Sequence, residues 1–187
     1  MTTKVRREEI LDLDAYEQQR PAFRHHVMGV KDRRRVHLGE HLTLLFENAE
    51  TVRYQVQEML RIEKRTAEAD VQHELATYNE LLGEPGELGA TLLIEIDDPA
   101  VRDEKLVAWL DLPRHLYLEV EGGERVPAAF DERQVGTDRL SSVQYLKFDC
   151  GGRPPVAAGC DLPGLELRVD LTPVQRKALA QDLESSS

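Results

Sequence analysis

The hydrophobic pattern of the first half of the chain is mainly helical. Apolar residues recur there every three or four positions, the spacing that places them on one face of an α-helix. Four helices are predicted on this basis, at residues 12–19, 21–34, 51–66 and 69–82. The second begins at Pro21, because proline is well tolerated at the first position of a helix. Two short apolar runs beside Gly39 predict strands, at residues 36–38 and 42–46.

The second half alternates apolar and polar residues, which is typical of half-buried strands. Strands are predicted there at residues 90–96, 115–121, 125–130, 144–148 and 166–171, with a short helix at 101–110. The stretch 149–165 is rich in glycine and proline and is predicted to be mainly loop. A last helix begins at Pro173, where Thr172 and Gln175 have the spacing of a capping box.

These elements predict an α+β fold in which a helical N-terminal half packs on a mainly antiparallel sheet, followed by a C-terminal helix. A length of 187 residues suits one hydrophobic core better than two, so residues 1–187 are expected to form a single domain. Residues 1–12 and 184–187 are expected to be poorly ordered, as chain ends are unless they are tied down.

Charge and hydropathy exclude several classes of function. The formal net charge is −11, and residues 67–187 carry 24 acidic and 11 basic side chains. This excess would repel a phosphate backbone, so nucleic-acid binding is not expected. No apolar run approaches the roughly 18 residues of a membrane-spanning helix, and the N-terminus lacks the apolar region of a secretory signal. A cytoplasmic protein that does not bind membranes is therefore predicted.

Sequence motifs identify neither a cofactor nor a catalytic centre. The chain contains no phosphate loop, no dinucleotide-binding glycine motif, no nucleophile elbow and no His-Glu-x-x-His. Cys150 and Cys160 do not form a Cys-x-x-Cys pair, and reduced cysteines are favoured over a disulfide or redox couple.

A metal site is possible only if ligands from different elements meet. His37 and His41 are four residues apart, but they flank Gly39 in a strand-like segment and do not share a helix face. His73 and Glu74 are adjacent on a predicted helix, where neighbouring side chains point about 100° apart. The candidate ligands are His41, Glu47, His73 and Glu74.

Two charged side chains fall on the apolar faces of predicted helices. Glu63 projects into the apolar stripe of the third predicted helix, and Arg34 into that of the second. A lone buried charge is costly, so each is expected to have a partner or to face a polar pocket. Three interpretations stay open: helix-end residues that reach solvent, a structural pair of Arg34 and Glu63, or a functional pocket. In the last case Gln55, Glu58 and Arg61 are the expected neighbours. We predict that the Arg34 and Glu63 side chains are both substantially buried and that they lie near each other or share a polar pocket.

The chain carries several distinctive stretches, among them RPAFR at 20–24, GELGATLLIEI at 86–96 and FDERQVG at 130–136. Together they resemble a bacterial family known only as a domain of unknown function, and the resemblance spans nearly the whole chain. It implies no established activity, cofactor or catalytic residue. Because genes of that family lie near those of rubrerythrin-like and iron–sulfur proteins, the resemblance implies an oxidative or iron-related setting.

Two functional hypotheses follow. The leading one is a non-catalytic accessory or binding protein that associates with redox or metal proteins and with a second copy of itself. The alternative is a metal-binding protein or enzyme that uses glutamate and histidine side chains of the helical half. A deep polar pocket around Glu63 would favour the alternative, whereas an exposed apolar surface would favour the leading hypothesis.

Overall fold

The structure, a computed structural model, describes residues 4–185. Its α-helices, in chain order, are α1 (Leu13–Asp32), α2 (Ala49–Glu63), α3 (Glu68–Asn79), α4 (Pro99–Ala108), α5 (Leu112–His115) and α6 (Pro173–Ser185). None of the helices in this range is long and apolar enough to cross a membrane. Residues 1–3 and 186–187, part of the termini predicted to be poorly ordered, lie outside the described residues.

Within the same range the strands form two antiparallel sheets. In chain order they are β1 (Arg35–Leu38), β2 (Leu42–Glu47), β3 (Glu87–Ile94), β4 (Leu116–Val120), β5 (Arg125–Pro127), β6 (Val143–Asp149), β7 (Pro155–Leu162) and β8 (Leu165–Asp170). Sheet 1 has the order β1-β2-β3-β6, and sheet 2 has the order β5-β4-β7-β8. The predicted α+β fold with antiparallel strands and a C-terminal helix is confirmed.

The main core lies between the two sheets, because alternate residues of each strand point towards the opposite sheet. Its fully buried side chains include Leu44, Leu92, Leu118, Phe148 and Ala158. A backbone bridge between Ala129 and Lys147 joins the sheets at one edge, and β1 packs against β8 at the other edge. Helix α6 contacts both sheets through β3 and β7.

The first three helices form a layer with a smaller hydrophobic cluster of its own. Helix α2 packs against both α1 and α3. The buried residues that α2 and α3 contribute are Val52, Val56, Leu60, Val71 and Leu75. The N-terminal segment, predicted to be poorly ordered, adds Val5 and Ile10 to this cluster. The Asn79 side chain accepts a hydrogen bond from the Val5 N–H at 2.8 Å and donates one to its carbonyl at 2.9 Å.

Helix α1 continues through Pro21, where the sequence predicts a break between two helices. Proline removes one intrahelical hydrogen bond at such a position. Packing compensates for this loss, because Tyr16 before the proline and Val27 after it are fully buried. The prediction of two separate helices is therefore wrong.

Strand β7 lies at the centre of sheet 2, in a stretch predicted to be mainly loop. Its glycine has a steric reason: Gly159 lies opposite Tyr117, and a Cβ at Gly159 would overlap the Tyr117 ring. Pro155 is the first residue of the strand, where the missing N–H is tolerated. The glycine and proline that suggested a loop at this strand are therefore accounted for by its packing and by its first position.

Helix α6 begins with the predicted capping box. Thr172 Oγ1 accepts a hydrogen bond from the Gln175 N–H at 3.2 Å, and Gln175 Oε1 accepts one from the Thr172 N–H at 2.9 Å. The Gln175 side-chain amide also donates to the Arg35 carbonyl at 2.8 Å. The cap therefore both starts α6 and attaches it to β1.

Candidate functional site

Arg34 is buried, as predicted, but its partner is Asp182 rather than Glu63. Its guanidinium binds both oxygens of the Asp182 carboxylate, with Nε–Oδ2 at 2.7 Å and Nη2–Oδ1 at 2.9 Å. Nη1 also donates to the Val30 carbonyl at 3.0 Å, and only 6% of Arg34 is exposed. The pair ties the C-terminal helix to the end of α1.

Glu63 is exposed at the C-terminal end of α2. The chain leaves the helix at Lys64, whose φ of 52° is in the left-handed region. The apolar stripe of α2 therefore stops at Leu60 instead of continuing around Glu63. The Glu63 carboxylate pairs with Arg65 at 2.5 Å. The predicted burial of Glu63 and its pairing with Arg34 are therefore wrong.

Glu58 and Arg61 lie on the face of α2 that packs against α1. Glu58 Oε1 accepts hydrogen bonds from the Tyr16 hydroxyl and from Arg20 Nε, each at 2.7 Å, while Arg61 pairs with Glu17 at 2.5 Å. The hydrogen bond from Arg20 lowers the pKa of Glu58, and burial followed by the bond to Glu58 raises the pKa of Tyr16. These contacts clamp α2 to α1.

Gln55 is on another side of α2, beside α3, where its side chain lies close to the Tyr78 hydroxyl. The charges of Glu74 and Glu63 add to the raised pKa of Tyr78, of which burial is the main cause. Tyr78 is therefore an un-ionised phenol at neutral pH. The predicted pocket is thus divided: Gln55 and Glu63 approach Tyr78, whereas Glu58 and Arg61 face α1.

The candidate metal ligands lie in separate environments. His41 lies beside the Trp109 ring, with ring centroids 6.2 Å apart. The Glu47 carboxylate accepts hydrogen bonds from the hydroxyl groups of Thr51 and Thr91. His41 and Glu47 are thus each in contact with other side chains of the fold.

The other two candidates, His73 and Glu74, differ in exposure as helix geometry predicts. His73 is exposed, whereas Glu74 is buried and lies 3.5 Å from an Arg65 nitrogen. Within residues 4–185, no group of three or more His, Cys, Asp or Glu side chains is arranged to hold a metal ion.

The end of the helical layer touches sheet 1 at Gly89. A Cβ at Gly89 would overlap the carbonyl oxygen of Leu81, so the chain after α3 lies directly on β3. Glu47 and Lys147 flank Gly89 in the register of the sheet. The contact divides the outer face of sheet 1 into two depressions, one beside Glu47 and the other beside Lys147.

The depression beside Glu47 has a volume of about 510 Å³ and reaches α6. The charged residues of its lining are mainly acidic, with Glu50 and Glu87 joining Glu47, and they include the Arg34–Asp182 pair. The charged groups of that pair are already joined to each other.

The depression beside Lys147, here named the aromatic groove, has a volume of about 850 Å³. It lies between the end of α3, the outer face of β6 and the segment 129–134. Side chains that line it include Tyr78, Leu81, Phe130, Arg133, Tyr145 and Lys147. Its lining is more apolar than polar, and Tyr145 is 48% exposed.

One wall of the aromatic groove closes the edge of sheet 1. The Gln134 side-chain amide donates to the Tyr145 carbonyl and accepts from the Tyr145 N–H, both at 2.8 Å. Ala129 pairs with the backbone of Lys147 in the same way, at 2.7 and 2.8 Å. Because these backbone groups are satisfied, a molecule in the groove meets side chains rather than an open strand edge.

Both cysteines are free thiols buried in the main core. Burial raises the pKa of Cys160, and it raises the pKa of Cys150 to about 12. Since the thiolate is the reactive form, neither side chain is activated for redox or nucleophilic chemistry at neutral pH.

Sequence reasoning did not identify the aromatic groove. Helical periodicity places Tyr78 on the apolar stripe of the predicted helix 69–82, which accounts for its partial burial but not for its place in the lining of the groove. One usable signal was the alternation of β6, which puts Val143, Tyr145 and Lys147 on the face opposite Leu146. A tyrosine that this alternation leaves exposed is a candidate contact residue, because tyrosine is enriched at interfaces.

Comparison with known proteins gives a family and a fold relative. The model of a family described as "Protein of unknown function (DUF3501)" matches residues 4–183. A crystal structure of a novel protein of unknown function from Burkholderia pseudomallei K96243 is 32% identical, with a TM-score of 0.88. The similarity covers 97% of this chain and 100% of that one. No curated protein matches the chain.

Proposed function

The chain belongs to the DUF3501 family of proteins of unknown function, and on this premise we propose that it is a non-catalytic binding protein for a small, mainly apolar molecule. The aromatic groove is the observation that carries the proposal. Its volume of about 850 Å³ is in the range of small-molecule sites, which are concave and mainly apolar with a few polar groups.

The side chains of the groove suit a flat, apolar ligand. Tyr78, Phe130 and Tyr145 line the groove, and aromatic rings favour contact with other rings. Tyr78 adds a phenol that stays protonated at neutral pH. Covering exposed aromatic surface of this kind with a ligand is favourable, because apolar area is removed from water.

The states of the reactive side chains support a binding rather than a catalytic role. The thiols have raised pKa values, and Glu58 and Arg34 are engaged in contacts that hold helices together. The rival proposal is a metal protein or enzyme of the helical half. It requires the candidate ligands His41, Glu47, His73 and Glu74 to bind one ion together. Elemental analysis of the purified protein distinguishes the two.

The wider setting is proposed on sequence grounds. Association with redox or metal proteins rests on the family resemblance, and a cytoplasmic location rests on composition. Self-association is part of the same proposal, and light scattering after size-exclusion chromatography tests it.

Titration with the uncharged fluorophore N-phenyl-1-naphthylamine tests the groove. The parent should bind it with a rise in fluorescence, and Tyr145→Ala should weaken binding about three- to tenfold, because an aromatic contact is lost. Val143→Ala is the matched control, since Val143 is exposed on the same face of β6. Equal affinity for all three proteins would contradict the proposal.

A further inference from the structure

Lys147 is one of two cations that line the aromatic groove, together with Arg133, and the carboxylates of Glu80 and Asp131 line it as well. In the part of the chain that the structure describes, no carboxylate lies within 4 Å of its ammonium group. Arg133, by contrast, forms hydrogen bonds to Asp131, with Nε 3.0 Å from Oδ1 and 2.9 Å from Oδ2. A cation on a mainly apolar wall is thus left available to a ligand.

The register of sheet 1 explains why Lys147 has no partner across the strands. Gly89 lies directly opposite it on β3 and has no side chain to offer. Glu47 follows on β2, about 10 Å away across two strand spacings, and is held by Thr51 and Thr91. The Leu81 carbonyl rests on Gly89 between them. Lys147 is therefore separated from Glu47 and faces the groove.

We infer that the aromatic groove selects a flat, apolar molecule that carries an acidic group, with Lys147 binding that group. The rings of Tyr78, Phe130 and Tyr145 contact the apolar body. An ammonium at an apolar surface attracts a carboxylate, sulfonate or phosphate more strongly than it would in bulk water. The inference rests on the proposed function, because it specifies the ligand of the same groove.

Two related fluorophores separate the role of the acid from that of the ring body. 8-Anilinonaphthalene-1-sulfonate carries a sulfonate, and N-phenyl-1-naphthylamine has the same ring system without it. The parent should bind the sulfonate at least fivefold more tightly. Lys147→Gln should remove that preference and leave binding of the uncharged fluorophore unchanged, whereas Lys147→Arg should retain it.

Lys177→Gln is the control for loss of one positive charge, because Lys177 is exposed on α6 and does not line the groove. It should leave both affinities as in the parent. If both fluorophores bind equally well and Lys147→Gln changes neither, the inference about the acid is wrong while the groove remains a binding site. If neither fluorophore binds, the proposed function itself fails.

Discussion

Gly89 determines how closely the helical layer approaches sheet 1. Because it has no side chain, the Leu81 carbonyl oxygen rests on β3 where a Cβ would overlap it. This contact holds the end of α3 over the outer face of the sheet and so forms one wall of the aromatic groove. A single absent methyl group shapes the candidate site.

Gly89→Ala should lower the free energy of unfolding by about 1–3 kcal/mol, the usual cost of an added group in a filled space. The backbone at Leu81 has to move away, so binding of N-phenyl-1-naphthylamine should weaken as well. Denaturant midpoints measure the first effect and fluorescence the second. Gly29→Ala is the control, because its Cβ would meet nothing nearer than Arg33 Nη1 at 3.9 Å. A stability loss of equal size in both variants would contradict the tight contact.

Single residues also mark where sequence reasoning reaches its limit. Helical periodicity places Arg34 on the apolar face of a helix that reaches residue 34, whereas α1 ends at Asp32 and Arg34 lies in the turn before β1. Periodicity cannot reveal Asp182, which is 148 positions away and meets Arg34 only when α6 docks. Glu63 was misplaced for a local reason, since the left-handed turn at Lys64 ends the stripe on which it was expected to lie.

Elements with strong local signals are predictable, whereas those that depend on neighbours are not. The capping box of α6 and the two strands on either side of Gly39 follow from nearby residues. Helix α1 crosses Pro21 because buried contacts on both sides outweigh one lost hydrogen bond. Strand β7 exists because β4 and β8 pair with it on either side. A single window of sequence does not contain these partners.

The contacts of Glu58 that join α2 to α1 make the stability of the fold depend on pH, and the sign of this dependence follows from the pKa of Glu58. The pKa of Glu58 lies below its ordinary value of 4.5, first because of Arg20. Its charge therefore stabilises the folded state above about pH 4.5, and this contribution is lost as the pH falls through the lowered pKa. Glu58→Gln should cost about 1.5–3 kcal/mol at pH 7, as expected for a hydrogen bond to a charged group. The difference from the parent should shrink towards acid.

Urea unfolding at pH 7, 5 and 3 measures this difference. Glu17→Gln is the control, because the Glu17–Arg61 pair is more exposed and exposed pairs contribute about 0–1 kcal/mol. A cost for Glu58→Gln that stays constant over the three pH values would contradict the charge-based account.

At the scale of the whole molecule, the chain has two hydrophobic clusters joined by specific polar links. One cluster lies between the sheets and the other among the first three helices. The Arg34–Asp182 pair and the Gln175–Arg35 hydrogen bond attach the last helix to the boundary between α1 and β1. If these links are strong, the two clusters unfold together, as the length of the chain predicts.

Calorimetry of the parent should therefore show one thermal transition, with equal calorimetric and van't Hoff enthalpies. Asp182→Ala should shift that whole transition to lower temperature and cost about 3–5 kcal/mol, because Arg34 is left buried without its counter-charge. Glu184→Ala, which removes an exposed carboxylate from the same helix, is the control and should change little. The double variant Arg34→Met, Asp182→Leu should recover much of the loss, since it removes both charges. Two separable transitions in the parent would mean that the helical layer and the sheets unfold independently. A low-temperature transition of Asp182→Ala in which only the helices unfold would mean the same.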